Sequence, residues 1–317
     1  MRIGFALGCE EYSPQQLLEQ ARRAEHAGFC GLWISDHYHP WNEEQGQSPF
    51  VWTMIGAIAQ ATSRIPVITA VTCPTIRIHP AIIAQAAATS AVLLEGRFAL
   101  GVGTGEALNE HILGDRWPPA DVRLEMLEEA VAVIRLLLEG GTHSHRGKHY
   151  LVENARIYTL PAETPPILVS GLGPKSAALA GRIGDGYILT SPDTRLVETF
   201  RSSGGGTKVV QGSFKVCYQS DAAEARRTAR RLWPNSHLPG EVAQMLPTPA
   251  HFEQVTQLVS EEMIARVIPC GPDLGHHLEL IEQFELAGFE EVYVQQIGSE
   301  HEAFFRAYER EILPRFN

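Results

Sequence analysis

The stretch RRAEHAGFCGLWISDHYHPW, residues 22–41, changes character twice. Its first part is patterned as a helix and stops at Gly28. Glycine just past a helix end accepts the positive φ that closes the last turn. The run that follows, about 31–35, is apolar on consecutive residues, which suits a strand covered on both faces, as in a parallel sheet. Where that strand ends, Asp36, His37, His39 and two aromatic rings, Tyr38 and Trp41, crowd around Pro40.

The same helix–glycine–strand junction recurs. IEQFELAGFEEVYVQQ passes through Gly288, and AALAGRIGDGYILT and ATSAVLLEGRFALGVG are variants. Ser13-Pro14-Gln15-Gln16 supplies a cap, a proline at the first helical position and a capping-box glutamine. The pattern predicts strands at about 2–7, 31–35, 66–71, 97–102, 166–170, 186–190, 209–218 and 291–296. Helices are expected at about 14–27, 50–63, 80–94, 122–139 and 174–182. Eight strands alternating with helices point to an α/β fold, a (β/α)8 TIM barrel with insertions at the C-terminal face. A doubly wound sheet is the competing arrangement, because both alternate strand and helix.

The chain has 317 residues, 44% hydrophobic and 20% charged, with a formal net charge of −11. Such a balance argues against sequence-independent binding to nucleic acid or an anionic membrane, and leaves a small-molecule substrate as the expected partner. Cys9, Cys30, Cys73, Cys217 and Cys270 are odd in number and form no CxxC pair, which fits a reducing compartment and no structural metal. MRIGFALG is too short and too polar-flanked for a signal peptide, and no apolar run approaches membrane-spanning length, so a cytoplasmic protein is expected. No linker divides the chain, and residues 1–317 read as one domain. RSSGGGTK, residues 201–208, reads as a short flexible loop, and residues 234–250, with four prolines, read as an irregular insertion of the kind that decorates strand ends.

In a barrel, active-site groups sit on the loops after the C-terminal ends of strands. This places Asp36 and His37 beyond the second strand, although Asp36 could also be a helix N-cap with the aromatics packed outside. The first strand leads to Glu10 and Glu11, the third to Thr72 and Cys73, and the fourth to GVGTGEALNE with Glu106 and Asn109. G-x-G-x-G-E is weak evidence for a dinucleotide site, and its glycines could serve only a tight turn. SGLGPKSAALAG is a better anion site, since a helix beginning near Pro174 presents free N–H groups and Lys175 adds a counter-charge. A plain βα loop is its alternative. His37 and His39 lack the companions of a zinc site, as do His143, His145 and His149 in an expected surface loop. His276 and His277 read as solvated. No G-x-S-x-G nucleophile motif appears.

SDHYHPW, PTIRIHPAIIAQAAAT, GRFALGVGTGEALNE and AGRIGDGYILTS together resemble the F420-dependent glucose-6-phosphate dehydrogenase group of the luciferase-like superfamily. The resemblance runs through nearly the whole chain and is strongest over residues 1–191. It implies a TIM barrel, a homodimer, and coenzyme F420, an 8-hydroxy-5-deazaflavin, at the C-terminal face. The matched cofactor-binding positions are Asp36, Cys73, Thr104, Gly105, Asn109, Leu172, Gly173, Lys175 and Ser176, with a non-prolyl cis peptide behind the ring at Ala70–Val71. Cys73 stands where the family has threonine, and Leu172 often where it has glycine. His37 matches the proposed catalytic base, Glu106 the residue proposed to protonate the ring, Trp41 an aromatic stabiliser and Glu10 a further acid. Thr190 and Gln244 match substrate-pocket positions. The family's phosphate-binding lysines, however, fall on Asp193 and Ala243, with Arg266 approximating an arginine. The resemblance therefore implies a dehydrogenase acting on an alcohol or sugar-like hydroxyl compound other than glucose 6-phosphate. An FMN-dependent luciferase-like monooxygenase and a non-catalytic deazaflavin-binding protein are the alternatives.

Overall fold

The computed structural model describes residues 1–316. Among them, eight parallel strands close a barrel: β1 (Arg2–Leu7), β2 (Leu32–Ile34), β3 (Val67–Thr69), β4 (Phe98–Val102), β5 (Ile167–Ser170), β6 (Gly186–Leu189), β7 (Val209–Val216) and β8 (Glu291–Gln296). Neighbours in sequence are neighbours in the sheet, and β1 pairs with β8 through Arg2 opposite Glu291 to close the ring. That closure rules out the doubly wound sheet. Each strand boundary lies within two residues of its predicted position.

Local signals act as expected. Ser13 caps the helix Pro14–Ala27 in a complete capping box with Gln16, and Gly28 ends it at φ 91°. Leu17, Ala21 and Ala24 of that helix are buried against the outside of the barrel, in the main core that also takes Phe5, Phe29, Phe304 and Phe305. A second, smaller core fills the barrel itself with Ala6, Trp33, Ile68, Leu168, Ile188 and Tyr293. Trp33 stacks on Tyr293 with centroids 4.7 Å apart. Below them Trp33 Nε1 donates to Gln211 at 3.0 Å, Gln211 Nε2 and Tyr293 Oη donate to Glu291 at 2.7 and 2.8 Å, and Arg2 pairs with Glu291. The N-terminal end of the barrel is thus plugged, which leaves the C-terminal face for chemistry.

Four expectations need correction. Residues 143–155 form a β-hairpin, His143–Arg146 with Leu151–Ala155, rather than a loop. Glu129 on the helix Ala120–Leu138 holds it by accepting from His145 Nε2 at 3.0 Å and from the N–H groups of Lys148, His149 and Tyr150. Residues 201–205 continue the helix Thr194–Phe200 as one π-helical turn, and 234–256 contain a 3-10 turn and two short helices, Val242–Met245 and Pro249–Thr256. His277 is fully buried, not solvated, because it shares a helix face with Ile281 and Phe284.

His277 Nδ1 lies 2.9 Å from Tyr308 Oη, its Nε2 is buried without a partner, and Tyr218 packs edge-on against the ring. Burial pulls its pKa down to about 4, against the raising pull of Asp273 and with a smaller lowering from His276. Unfolded, the imidazole takes a proton near the ordinary histidine value. Between about pH 6.5 and 4 the unfolded chain therefore binds the extra proton. The stability contributed by keeping His277 neutral is complete above that window and is lost as pH falls through it, by about 1.4 kcal/mol per pH unit. His301, pulled by burial to about 4, acts in the same sense, and Glu110, pushed up to about 7 by burial, acts in the opposite one. The wild-type-minus-variant difference isolates His277. In urea unfolding at pH 6.5 and 4.5, His277→Gln should gain about 2–3 kcal/mol relative to wild type over that interval. A constant difference would show that His277 does not titrate on unfolding.

Candidate active site

The C-terminal strand ends bring most of the expected groups together. Beyond β2, Asp36 is buried and both of its oxygens are engaged. Thr72 Oγ1 donates to Oδ2 at 2.8 Å and Arg77 Nη2 donates to Oδ1 at 2.9 Å. Asp36 is therefore no helix cap. Arg77 also donates to Glu110 through its backbone N–H at 2.9 Å and through Nε at 3.4 Å. One cation thus binds two buried carboxylates that come from the ends of β2 and β4. Burial, opposed chiefly by Arg77, pushes the Glu110 carboxyl up to about 7. Neither Arg77 nor Glu110 stood out in the sequence as a site residue, although Arg77 lies inside the recognisable PTIRIHP stretch.

His37 follows Asp36 and faces Glu10 from the end of β1, with Nε2 3.4 Å from Oε1. Its Nδ1 lies 3.2 Å from the His39 carbonyl. A carbonyl only accepts, so that contact is made with a proton on Nδ1, while Nε2 is the nitrogen turned towards the Glu10 carboxylate. Ser35 Oγ holds Glu10 by donating to Oε2 at 3.0 Å. Trp41 packs against the His37 ring at 5.0 Å and is itself braced by Phe252 at 5.0 Å. Asn109 fixes this loop from the β4 side, its Oδ1 accepting from the N–H groups of Tyr38 and His39 at 2.9 and 3.1 Å. Its Nδ2 lies 3.5 Å from Glu106 Oε2.

Beside this cluster a cavity of about 800 Å³ opens, lined by Val71, Gly103–Glu106, Ser170–Ser176, Arg123 and Gln244. The Ala70–Val71 peptide is cis and delivers Val71 to the wall. The GVGTGE glycines have distinct jobs. A Cβ on Gly101 would sit 1.9 Å from the Thr69 carbonyl oxygen, so Gly101 serves the contact between β3 and β4. A Cβ on Gly103 would meet Val71 at 2.8 Å, and one on Gly105 (φ 73°) would meet the Cys73 sulfur at 2.6 Å. These two let the loop backbone pack closely against Val71 and Cys73. Cys73 is buried, and its sulfur lies 3.0 Å from Thr75 Oγ1. Opposite, Gly173 begins the helix Pro174–Ile183, its N–H donating to Ser176 Oγ at 3.1 Å. Lys175 does not face the cavity as an unspent charge. Its Nζ pairs with Asp121 at 2.7 Å, and both side chains are mostly exposed.

Thr190 and Gln244 line different cavities. Thr190 opens on a space of about 680 Å³ shared with Ser213, Lys215, Ser236 and Arg266, whereas Gln244 accepts from Arg123 Nη2 at 2.9 Å in the wall of the first. Lys215, on the inner face of β7, is a cation that sequence reasoning passed over. Its Nζ lies 4.6 Å from the Trp233 ring, and burial lowers its pKa against the raising pull of Glu10. The strand period would have marked it as inward-facing. Among the described residues no three His, Cys, Asp or Glu side chains gather as a metal-binding group, and no helix is long and apolar enough to cross a membrane.

Residues 1–291 match the model of the family described as luciferase-like monooxygenase. The chain belongs to this family. Within it, this luciferase-like chain is 34% identical over 327 residues to an F420-dependent glucose-6-phosphate dehydrogenase of Microbacterium testaceum, covering 99% of this chain and 97% of that protein. It is 33% identical to the protein of the same name from Beutenbergia cavernae, with the same shares covered. Among solved structures, an F420-dependent secondary alcohol dehydrogenase in complex with an F420-acetone adduct superposes with a TM-score of 0.92 at 30% identity, covering 100% of this chain and 99% of that one. The F420-dependent tetrahydromethanopterin reductase of Methanopyrus kandleri shares the fold at 19% identity and a TM-score of 0.80.

Proposed function

We propose that this luciferase-like protein is an F420-dependent dehydrogenase that moves hydride between coenzyme F420 and an uncharged secondary alcohol or sugar-like hydroxyl compound. The observation that carries the reading is the Glu10–His37 pair beyond β1 and β2, at the same end of the barrel as a glycine-walled cavity. The cavity fits the cofactor. Gly103 and Gly105 bring bare backbone to the wall, Val71 stands beside it, and the first turn of Pro174–Ile183 offers N–H groups to an anion. Val71, Thr104, Gly105, Leu172, Gly173 and Ser176 would hold it.

When bound, F420 supplies hydride chemistry at its ring carbon C5. The chain's own part is proton handling and positioning. His37 Nε2, oriented by the carbonyl at Nδ1, takes the hydroxyl proton of the alcohol, and the carboxylate of Glu10 stabilises the imidazolium that results. Glu106 lines the cavity wall and is the acid placed to exchange a proton on the cofactor side. Trp41 restricts the His37 ring and keeps water from that face.

The preference for an uncharged substrate rests on Asp193. It caps the helix Thr194–Phe200, its Oδ1 accepting from the N–H groups of Arg195 and Leu196 at 2.9 and 3.3 Å. By the resemblance, this acid stands where the sugar-phosphate enzymes have a lysine, and it also pairs with Arg195 at 3.6 Å. One observation favours a second reading, a sugar phosphate held by Lys215 and Arg266, since both cations line the Thr190 cavity. A single experiment covers cofactor and substrate. F420 and FMN are titrated by fluorescence, and loss of F420 absorbance is followed with a panel of secondary alcohols, sugars and glucose 6-phosphate. F420 is expected to bind at least about tenfold more tightly than FMN, a gap of about 1.4 kcal/mol, and at least one uncharged alcohol to outperform glucose 6-phosphate. Tighter FMN binding would overturn the cofactor assignment, and efficient turnover of glucose 6-phosphate would establish the second reading.

A further inference from the structure

Arg123 is only 2% exposed, yet among the described residues its guanidinium has no carboxylate partner within ion-pair distance. It donates to two neutral acceptors, the Pro118 carbonyl at 2.7 Å and Gln244 Oε1 at 2.9 Å, and lies over the Trp117 ring at 4.4 Å. Its Nε is buried with no partner at all. Burial pulls its pKa below the ordinary arginine value, against the raising pull of Glu241, Cys73 and Glu106. A buried cation left without an anion is costly, and a protein tolerates it where a ligand supplies the missing charge.

The surroundings say which ligand. Arg123 lines the same cavity as Gly103, Gly105, Gly171 and Gly173, and the first turn of Pro174–Ile183 opens into it. A planar guanidinium with N–H groups still unspent matches the oxygens of a phosphate ester, and helix-start N–H groups add to the same site. Lys175, the cation at that helix start, is already neutralised by Asp121 at the surface. We propose that Arg123, rather than Lys175, is the cationic receptor for the phosphodiester of the bound deazaflavin, and that Gln244 and Trp117 hold its fork in place. The Gln244 contact also ties the short helix Val242–Met245 to the cofactor site. This inference rests on the F420 reading.

The test is binding rather than turnover. F420 and the phosphate-free nucleoside 8-hydroxy-5-deazariboflavin are titrated by fluorescence against wild type, Arg123→Met, Arg123→Lys and Lys175→Ala. Arg123→Met should weaken F420 binding by about 10- to 100-fold, the scale of a charge-assisted hydrogen bond. It should leave the phosphate-free ring within about twofold of wild type, well inside the tenfold that marks 1.4 kcal/mol. Arg123→Lys, which keeps the charge but not the planar fork, should fall between, and Lys175→Ala should change F420 binding less than Arg123→Lys does. Equal losses for both ligands would make Arg123 a structural residue and overturn the proposal, as would a larger loss in Lys175→Ala. Should Arg123→Met fail to fold, Arg123→Lys with undiminished F420 binding overturns it equally. A wild-type protein that binds neither ligand overturns the F420 reading itself, and the proposal with it.

Discussion

His37→Ala should lower turnover by about 100-fold or more while F420 still binds, the usual scale of general acid–base assistance. The expectation rests on a directional arrangement. The His39 carbonyl fixes the proton on Nδ1, Glu10 waits 3.4 Å from Nε2, and Ser35 and Trp41 restrict both partners. His37 lines neither wall of the cofactor cavity, so its removal leaves the glycine loops and Val71 as they are. Glu106→Gln should show a loss of similar size if the cofactor-side proton passes through that carboxyl. Steady-state reduction of F420 by the best alcohol, with F420 titration beside it, separates the two effects. Turnover within a few-fold of wild type in His37→Ala would remove the imidazole from the mechanism. Loss of F420 binding instead would show that the ring positions the cofactor.

Arg77→Met should destabilise the protein by about 3–5 kcal/mol, the cost of stripping the partner from a buried charge. Asp36 and Glu110 are both buried, and Arg77 is the cation that each of them meets. Without it, Asp36 keeps only the Thr72 hydroxyl, and Glu110 keeps only the backbone N–H of residue 77. Adding Glu110→Gln to Arg77→Met should recover part of the loss, because one of the stranded charges is gone. Urea unfolding of the three proteins measures this directly. A change below about 1 kcal/mol in Arg77→Met would mean that water or a rearranged loop satisfies both acids, and the triad would then be a surface ion pair in effect.

The elements that the chain announces are those whose signals are local. Ser13 and Gln16 make a capping box because they are three residues apart on one turn, and Gly28 and Gly288 end their helices because only the glycine backbone enters the left-handed region without cost. Consecutive apolar runs become parallel strands because helices cover their outer faces and packed side chains their inner ones. The hairpin at 143–155 escaped for the same reason. HSHR and LVENA carry almost no apolar alternation, and the pair is held by Glu129, a residue well before it on another element. His277 escaped because two adjacent histidines look polar until the helix face with Ile281 and Phe284 is drawn.

The polar site divides along the same line. That Asp36, His37, Glu106 and the glycine loops would meet at one end of the barrel follows from strand period and the rule that loops after parallel strands share a face, both of which are readable along the chain. Which charge would neutralise which is not. Arg77 joins acids 41 and 33 residues away, Arg123 meets Gln244 across 121, and Lys175 is paired with Asp121 at the cavity's exposed rim. Sequence spacing gives direction only within a turn or a strand, whereas the energy of a buried ion depends on every group within a few ångströms, whatever its place in the chain. Closure of the barrel brings those groups together, and so it decides that Arg123 is left inside without an anion while Lys175 is not.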